Sequence, residues 1–448
     1  MGIDVIPLLV SLAVLALLLV VDVPIAFALG ISGLTGIGLM QGVSGAANAF
    51  AAIPYNAASA YTLTVVPMFI LMGLLVSHAG MIDGIFNLVQ RLTRRLPGGL
   101  GIATILAATF FGGISGSSVA DAATIGRVSI GEMSKRGYDK AYAAALVAAA
   151  GTVDILIPPS VALVMYGIVS GTSIGALLLA GIVPGLLTAG VYMVLIVVMA
   201  KSGKPGRGGV GEFGAQRPPK ARPEDWFGMA GGALLFLIVI GGLYAGVFTA
   251  TEAGALGAFA SLVVSASFVV VWGAKRGMSP RSVLIDALSE TGALTSMIFA
   301  LIVGATIFTN MLVLAGVPTA VSAWIVELSL PKPLVIVSML LALLPLGMFI
   351  DGLSMLLIVG PLFHPVATSL GYDGLWFAIL FIKCIEIGLL TPPVGLNVFV
   401  VAGLFDDLRV EDVFRRITPF IVAEFVATGI LFAFPQIITF LPAMSGVK

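Results

Sequence analysis

Cysteine is almost absent from this 448-residue chain, and the single Cys384 excludes an internal disulfide and any metal centre built from cysteines. Two histidines, His78 and His364, are too few for a histidine-rich metal site. Charge is equally scarce. Asp, Glu, Lys and Arg make up 10% of the residues, against about a quarter in soluble domains, so the chain cannot coat a water-facing globule. Its 22 basic and 22 acidic residues cancel, which argues against a nucleic-acid partner or a polyanion-binding tail. No glycine-rich loop ends in Gly-Lys-Ser/Thr, so the chain itself does not hydrolyse ATP. Both histidines fall outside the serine clusters, leaving no nucleophile–base pair and no reason to read an enzyme. Asp4 precedes the first apolar run and no Lys or Arg does; a cleavable signal has a basic start, so that run reads as a mature membrane helix.

What is present is apolar. Hydrophobic residues reach 59%, and runs of roughly 20 residues cross a ~30 Å hydrocarbon core. Such runs stand near 4–21, 23–41, 62–79, 140–170, 176–200, 226–247, 251–272, 292–313, 372–402 and 418–441. The expected class is all-α, integral to the membrane. Glycine is abundant, 55 residues, which suits tight helix packing and backbone that turns at depth. Two further stretches, 98–130 and 333–366, are too long for one helix. They break at 112–118 (Gly-Gly-Ile-Ser-Gly-Ser-Ser) and 347–354 (Gly-Met-Phe-Ile-Asp-Gly-Leu-Ser).

Positive charge orients the chain. Arg91, Arg94 and Arg95 precede the first of these stretches, and Lys135, Arg136 and Lys140 follow it, placing both flanks in the cytoplasm. Two crossings or one re-entrant hairpin would satisfy that; the polar tip favours the hairpin, over about 97–134. The Lys/Arg-, Pro- and Gly-containing segment 201–225 reads as a cytoplasmic linker, and both termini then face the periplasm.

The chain also repeats. Leu96-Pro97 matches Leu330-Pro331, Gly113 matches Gly347, Gly126 matches Gly360, Gly137-Tyr138-Asp139 matches Gly371-Tyr372-Asp373, and Pro158-Pro159 matches Pro392-Pro393. Every pair is 234 apart (331 − 97 = 392 − 158). With five spanning segments per half, the second half sits upside down. The expectation is two inverted-topology repeats, 1–200 and 226–448. Each holds a re-entrant hairpin, the second over about 332–366, and a broken helix, over about 140–170 and 372–402. That architecture belongs to secondary transporters more often than to channels.

The breaks carry the site. Residues 151–160 and 386–397 each contain a Pro-Pro pair, which frees backbone carbonyls at mid-membrane for a cation, water or another chain. Opposite each lies a hairpin tip with neutral oxygens, a cage suited to hard monovalent cations. Asp154 and Asp351 are the favoured carboxylates of a cation path. Asp154, Pro158, Pro159, Ser160 and Asn397 are candidate solute contacts. Lys383 and Glu386, three apart, form an expected pair. Glu252 and Glu424 are expected near helix ends in contact with water, and His364 is given no role. Asp121 and Arg127 lie in the first hairpin, six residues apart. Two amphipathic stretches, 81–95 and 317–328, would lie flat at the membrane surface.

At these residues the sequence resembles the large membrane subunit of tripartite ATP-independent periplasmic (TRAP) transporters, the DctM-like and SiaM-like permeases of the ion transporter superfamily. The resemblance rests on Gly-Gly-Ile-Ser-Gly-Ser-Ser-Val-Ala-Asp at 112–121, Gly137-Tyr138, Ile157-Pro158-Pro159-Ser160, Tyr166-Gly167, Asp351-Gly352 and Leu390-Thr391-Pro392-Pro393-Val394-Gly395. It implies import of a small organic anion, a carboxylate, driven by sodium (Na+) across the bacterial inner membrane. It further implies an elevator-type motion, a periplasmic DctP-like binding protein and a small four-helix DctQ-like subunit. Carried onto this chain, the family's sodium sites fall at Ser115, Gly116, Ser117 and Ser118 with Gly151 and Thr152, and at Asp351, Gly352 and Ser354 with Gly388, Thr391 and Pro392. Asp154 stands where a small residue is common in the family. Gly131 stands where a proline is common, although its repeat mate Pro365 keeps it. A stand-alone sodium- or proton-coupled carboxylate carrier of the same superfamily is the alternative; a channel subunit, which would show a continuous polar stripe, fits less well.

Overall fold

The computed structural model describes residues 4–115, 118–202, 221–320 and 331–445. These residues are helical apart from short connections, because a backbone in lipid must satisfy its N–H and C=O groups within each segment. In chain order the helices are α1 (Val5–Val20), α2 (Ile25–Ala58), α3 (Val65–His78), α4 (Ile82–Thr93), α5 (Gly99–Ser115), α6 (Ser118–Lys135), α7 (Lys140–Val153), α8 (Val161–Ser170) and α9 (Ile174–Lys201). After the linker come α10 (Pro223–Phe236), α11 (Ala250–Trp272), α12 (Pro280–Leu314), α13 (Lys332–Gly347), α14 (Gly352–Ser369), α15 (Gly374–Leu390), α16 (Leu396–Ala402), α17 (Val410–Ala433) and α18 (Gln436–Ser445). Among the described residues, eight helices are long and apolar enough to cross a membrane, or nine if the bent pair Lys140–Leu156 and Val161–Ser170 counts as one span.

Several boundaries move from where hydropathy puts them. The second span ends near residue 41, as hydropathy puts it: Gly42 is non-helical (φ +75, ψ 178), and beyond this kink the chain continues as a second helical piece to Ala58. Helix α12 starts at Pro280, before the apolar run, so its charged first turns with Arg281, Asp286 and Glu290 extend a helix whose greasy part begins later. The span expected at 418–441 is two helices. Pro435 pushes Phe434 out of helical geometry (φ −125, ψ 75), ending α17 before α18 begins. Helix α1 has only 16 residues, about 24 Å of helix, short of a ~30 Å core.

The offset seen in the sequence reappears in the elements. Helix α6 shifted by 234 (118 + 234 = 352; 135 + 234 = 369) has the bounds of α14, and the start of α7 lands on the start of α15 (140 + 234 = 374). Gly137 (φ +77) and Gly371 (φ +89) make the same left-handed turn before these helices. Asp139 then caps α7 by accepting from the Ala141 amide at 2.9 Å, and Asp373 caps α15 by accepting from the Trp376 amide at 3.0 Å. Most of the stretch 81–95 forms α4, which buries Ile82, Ile85, Phe86, Leu88 and Val89. Most of the mate stretch at 317–328, and residues 203–220 of the linker, lie outside the described residues.

Two bodies of contact follow from small residues at helix crossings. Helices α2 and α12 meet backbone to backbone: a Cβ on Gly304 would stand 2.0 Å from the Ala26 carbonyl oxygen, and one on Gly33 would stand 2.9 Å from Phe308 Cα. With α1, α3 and α11 they form one packed set; hairpins α5–α6 and α13–α14 pack with α7, α8, α9, α15 and α17 in another. Gly304→Val is expected to force α2 off α12 and to destabilise the purified protein by about 1–3 kcal/mol, the usual cost of overpacking. Thermal melting in detergent measures it; an unchanged melting temperature would refute the contact.

Candidate functional site

The first break begins where α7 ends. Asp154–Leu156 tighten into a 3-10 turn, Ile157 is extended, the Pro158–Pro159 bond is cis, and Ser160 caps α8 by accepting from the Leu163 amide at 3.3 Å. The two helical pieces are bent by 47°. Residues 151–160 are all buried, so Gly151, Thr152, Asp154, Pro158, Pro159 and Ser160 lie together inside the protein. Helix α9 makes room for the break. A Cβ on Gly181 would stand 2.3 Å from the Leu156 carbonyl oxygen, and one on Gly185 would stand 2.5 Å from Ile157 Cδ1. Only glycine there lets the irregular backbone sit on a straight helix. Helix α5 of the first hairpin packs against the same turn. Ser115 closes α5 and Ser118 opens α6, while Gly116 and Ser117 lie outside the described residues.

The second break opens at Thr391, which is extended (φ −92, ψ 135) and donates its hydroxyl to the Ile387 carbonyl at 2.6 Å. The cis Pro392–Pro393 bond and Gly395 (φ +55) then lead into α16, on which Asn397 is buried. Unlike the first break, this one reaches the surface, with Pro392 and Pro393 exposed. The second hairpin tip lies directly on it. A Cβ on Gly388 would stand 2.7 Å from Gly347 Cα and 3.2 Å from the Gly347 carbonyl oxygen, and one on Gly352 would stand 3.1 Å from Ile385 Cγ2. Asp351 caps the second arm of the hairpin, accepting from the Ser354 amide at 3.0 Å and from its hydroxyl. Asp351, Gly352, Ser354 and Gly388 are thus brought to one place.

A buried charged cluster joins the two breaks, and the sequence showed only part of it. Lys383 donates to Glu386 at 2.9 Å, the expected pair, and also to Glu424 of α17. Glu424 was expected near a helix end and in contact with water. It sits instead in the middle of a 24-residue helix with no exposed surface, as do Lys383 and Glu386. Its second oxygen accepts from Tyr192 of α9 at 2.6 Å and from Thr152, at the first break, at 2.9 Å. A lone glutamate in an apolar run was visible in the sequence, but nothing local distinguished a buried, partnered Glu424 from one at a wet helix end. Three helices distant in sequence had to be folded before that partner had a number. His364, given no role, has one in the fold: its Nδ1 meets the Tyr166 hydroxyl at 3.0 Å, tying the second hairpin to the far half of the first broken helix.

The donor set suits a monovalent cation more than a transition metal. Hydroxyls and freed carbonyls are hard neutral oxygens, and the cluster beside Thr152 carries two carboxylates against one ammonium. One carboxylate oxygen, Glu386 Oε1, has no hydrogen-bond partner among the described residues.

Comparison with known proteins places these features in a lineage. A family model described as "Tripartite ATP-independent periplasmic transporter, DctM component" matches residues 12–437. The C4-dicarboxylate TRAP transporter large permease protein DctM of Pseudomonas aeruginosa is 34% identical over 389 residues, covering 86% of this chain and 85% of that protein. The sialic acid TRAP transporter large permease protein SiaM of Vibrio cholerae is also 34% identical, covering 86% and 87%. Among solved structures, the YdaH transporter of Alcanivorax borkumensis shares the fold with a TM-score of 0.68 at 15% identity, covering 96% of this chain and 98% of that one. MtrF of Neisseria gonorrhoeae gives 0.55 at 13% identity, covering 89% and 84%.

Proposed function

The chain belongs to the DctM-component family of tripartite ATP-independent periplasmic transporters, and we propose that it imports a small carboxylate-bearing anion, driven by sodium and supplied by a periplasmic binding protein. The observation that carries the reading is the seating of a hairpin tip on a broken helix, Gly347 against Gly388. Sodium would be held at Gly151 and Thr152 with residues 115–118, and at Asp351, Gly352, Ser354, Gly388, Thr391 and Pro392. Its downhill entry supplies the free energy. The anion would contact Asp154, Pro158, Pro159, Ser160 and Asn397; relatives named for C4-dicarboxylate and for sialic acid support an acidic solute.

The motion follows from the packing. Hairpins and broken helices contact one another across the chain, and α1, α2, α3, α11 and α12 pack chiefly with each other while touching the first group through α3 on α5 and α8 and α12 on α14; the first group would slide along these contacts as a unit, as an elevator. A small DctQ-like membrane subunit braces the fixed set. Both halves are inverted relative to each other, the chain lies in the inner membrane, and both termini face the periplasm, as the basic flanks support.

The test is uptake into proteoliposomes holding this chain with its small subunit, with an inward sodium gradient and the cognate binding protein each present or absent. Uptake that needs both is expected; uptake on the gradient alone would turn the reading to a stand-alone carrier. Within it, Thr391→Ala is expected to raise the sodium concentration for half-maximal uptake about three- to tenfold, the worth of one contact of hydrogen-bond strength. An unchanged sodium curve would remove Thr391 from the site.

A further inference from the structure

The geometry points to Glu424, with Lys383 and Glu386 behind it, as the charge that positions Thr152 for sodium and offsets the ion's charge from outside its coordination shell. This rests on the sodium reading above and adds residues that none of the expected ligand sets contains.

At Thr152 itself the first break offers a hydroxyl and backbone carbonyls, with the buried Asp154 two residues further on. Neutral oxygens replace an ion's hydration, but a bare positive charge in a buried, low-dielectric place still needs a compensating negative one. The described structure holds that charge one hydrogen bond away. Glu424 accepts on both oxygens, from Thr152 at 2.9 Å, from Tyr192 at 2.6 Å and from Lys383, and donates to nothing, the pattern of a carboxylate. Lys383 also serves Glu386 at 2.9 Å. Glu424 and Glu386 share the one ammonium of Lys383, with all three side chains fully buried, so the cluster carries one excess negative charge whenever both carboxyls are ionised. The ammonium already bridges both carboxylates, so no metal ion fits between them.

Thr152 is built to pass that charge on. A hydroxyl has one proton and two lone pairs. Its oxygen lies 2.7 Å from the Ala149 carbonyl and 2.9 Å from Glu424. The Tyr192 hydroxyl, 3.3 Å from Thr152, gives its own proton to Glu424. The single Thr152 proton is shared between the Ala149 carbonyl and Glu424, so the carboxylate fixes how the hydroxyl is turned at the break. Glu424 is therefore a positioning residue, and Glu386 supplies charge through Lys383 without touching Thr152.

Other ionisable groups on helices packed against α15 are engaged elsewhere: His364 with Tyr166, and Asp351 with Ser354. Asp154 follows Thr152 by two residues on the turn after α7. Asp154 is a second buried carboxyl at the break, and the Glu424 cluster acts on Thr152 alongside it.

The test reads sodium binding without transport: the melting temperature of the purified chain with its small subunit, titrated with sodium chloride at constant ionic strength against choline chloride. A ligand that binds the folded state raises its stability by mass action. Wild type is expected to gain stability with sodium. Thr152→Ala should lose that gain, and a Thr152→Ala variant that keeps the wild-type titration would sink the sodium site itself. Given a normal Thr152→Ala result, Glu386→Gln is expected to shift the half-saturating sodium concentration up by about tenfold or more. Its melting temperature in choline should equal or exceed wild type, because the uncompensated charge is gone. A purely structural role would instead lower the melting curves equally in both salts, and that result overturns the inference, as does a wild-type sodium titration. Glu424→Gln is expected to act in the same direction and more strongly; if it does not fold, Glu386→Gln decides alone.

Discussion

Lys383→Met is expected to destabilise the protein by about 3–5 kcal/mol, the cost of stripping the partner from buried charge. Lys383 has no exposed surface and is the cation shared by Glu386 and Glu424. Without it two carboxylates face each other across apolar helices, with only the Tyr192 and Thr152 hydroxyls to satisfy Glu424. A loss of that size is a large part of the ~5–15 kcal/mol that holds a typical domain, so low membrane yield and early melting should accompany it. The triple change Lys383→Met, Glu386→Gln, Glu424→Gln should recover most of the loss, because amides of similar shape leave no net charge behind. Melting curves of the two variants are the check. A single Lys383→Met protein that melts like wild type would show that the cluster is not paired as described.

Gly388→Val separates stability from transport. The added Cβ would lie 2.7 Å from Gly347 Cα, and the contact is backbone rather than a flexible side chain, so the hairpin tip must lift off the break. The expected cost in stability is modest, about 1–3 kcal/mol. Uptake in proteoliposomes is expected to fall about a hundredfold, since small displacements of groups that must converge on one ligand cost that much in other sites. Uptake within a factor of two of wild type, about the scatter of such assays against a 1.4 kcal/mol tenfold scale, would remove the hairpin–break contact from the transport cycle.

Much of this was legible before folding. Periodic greasy runs give spanning helices, and Pro-Pro pairs give breaks, because both effects are local: a missing amide and a ring clash act within one turn. The 234-residue offset told which elements correspond. Local rules failed where a neighbour decides. Hydropathy ended the second span at 41, at the Gly42 kink, but did not show the helical piece that follows to Ala58. It joined α17 to α18 because Pro435 is a small interruption in a long apolar run. For the candidate site, the sequence offered Lys383 with Glu386 because both lie on one helix three residues apart. It offered no such clue for Glu424, Tyr192 or His364, whose partners are 41, 232 and 198 residues away in the chain. Their pairing is a property of tertiary packing.

That distance has a consequence for biosynthesis. Thr152 and Glu424 are separated by 272 residues. At about 5–20 residues per second of synthesis, the first broken helix waits roughly 14–54 s for its partner to leave the ribosome. During that interval a kinked, polar segment has entered the membrane with neither α15 nor α17 beside it. Retention next to the insertion machinery, or an early partner that covers the break, is then a requirement of assembly. Truncation before residue 410 should leave a chain that inserts yet is cleared by membrane proteases.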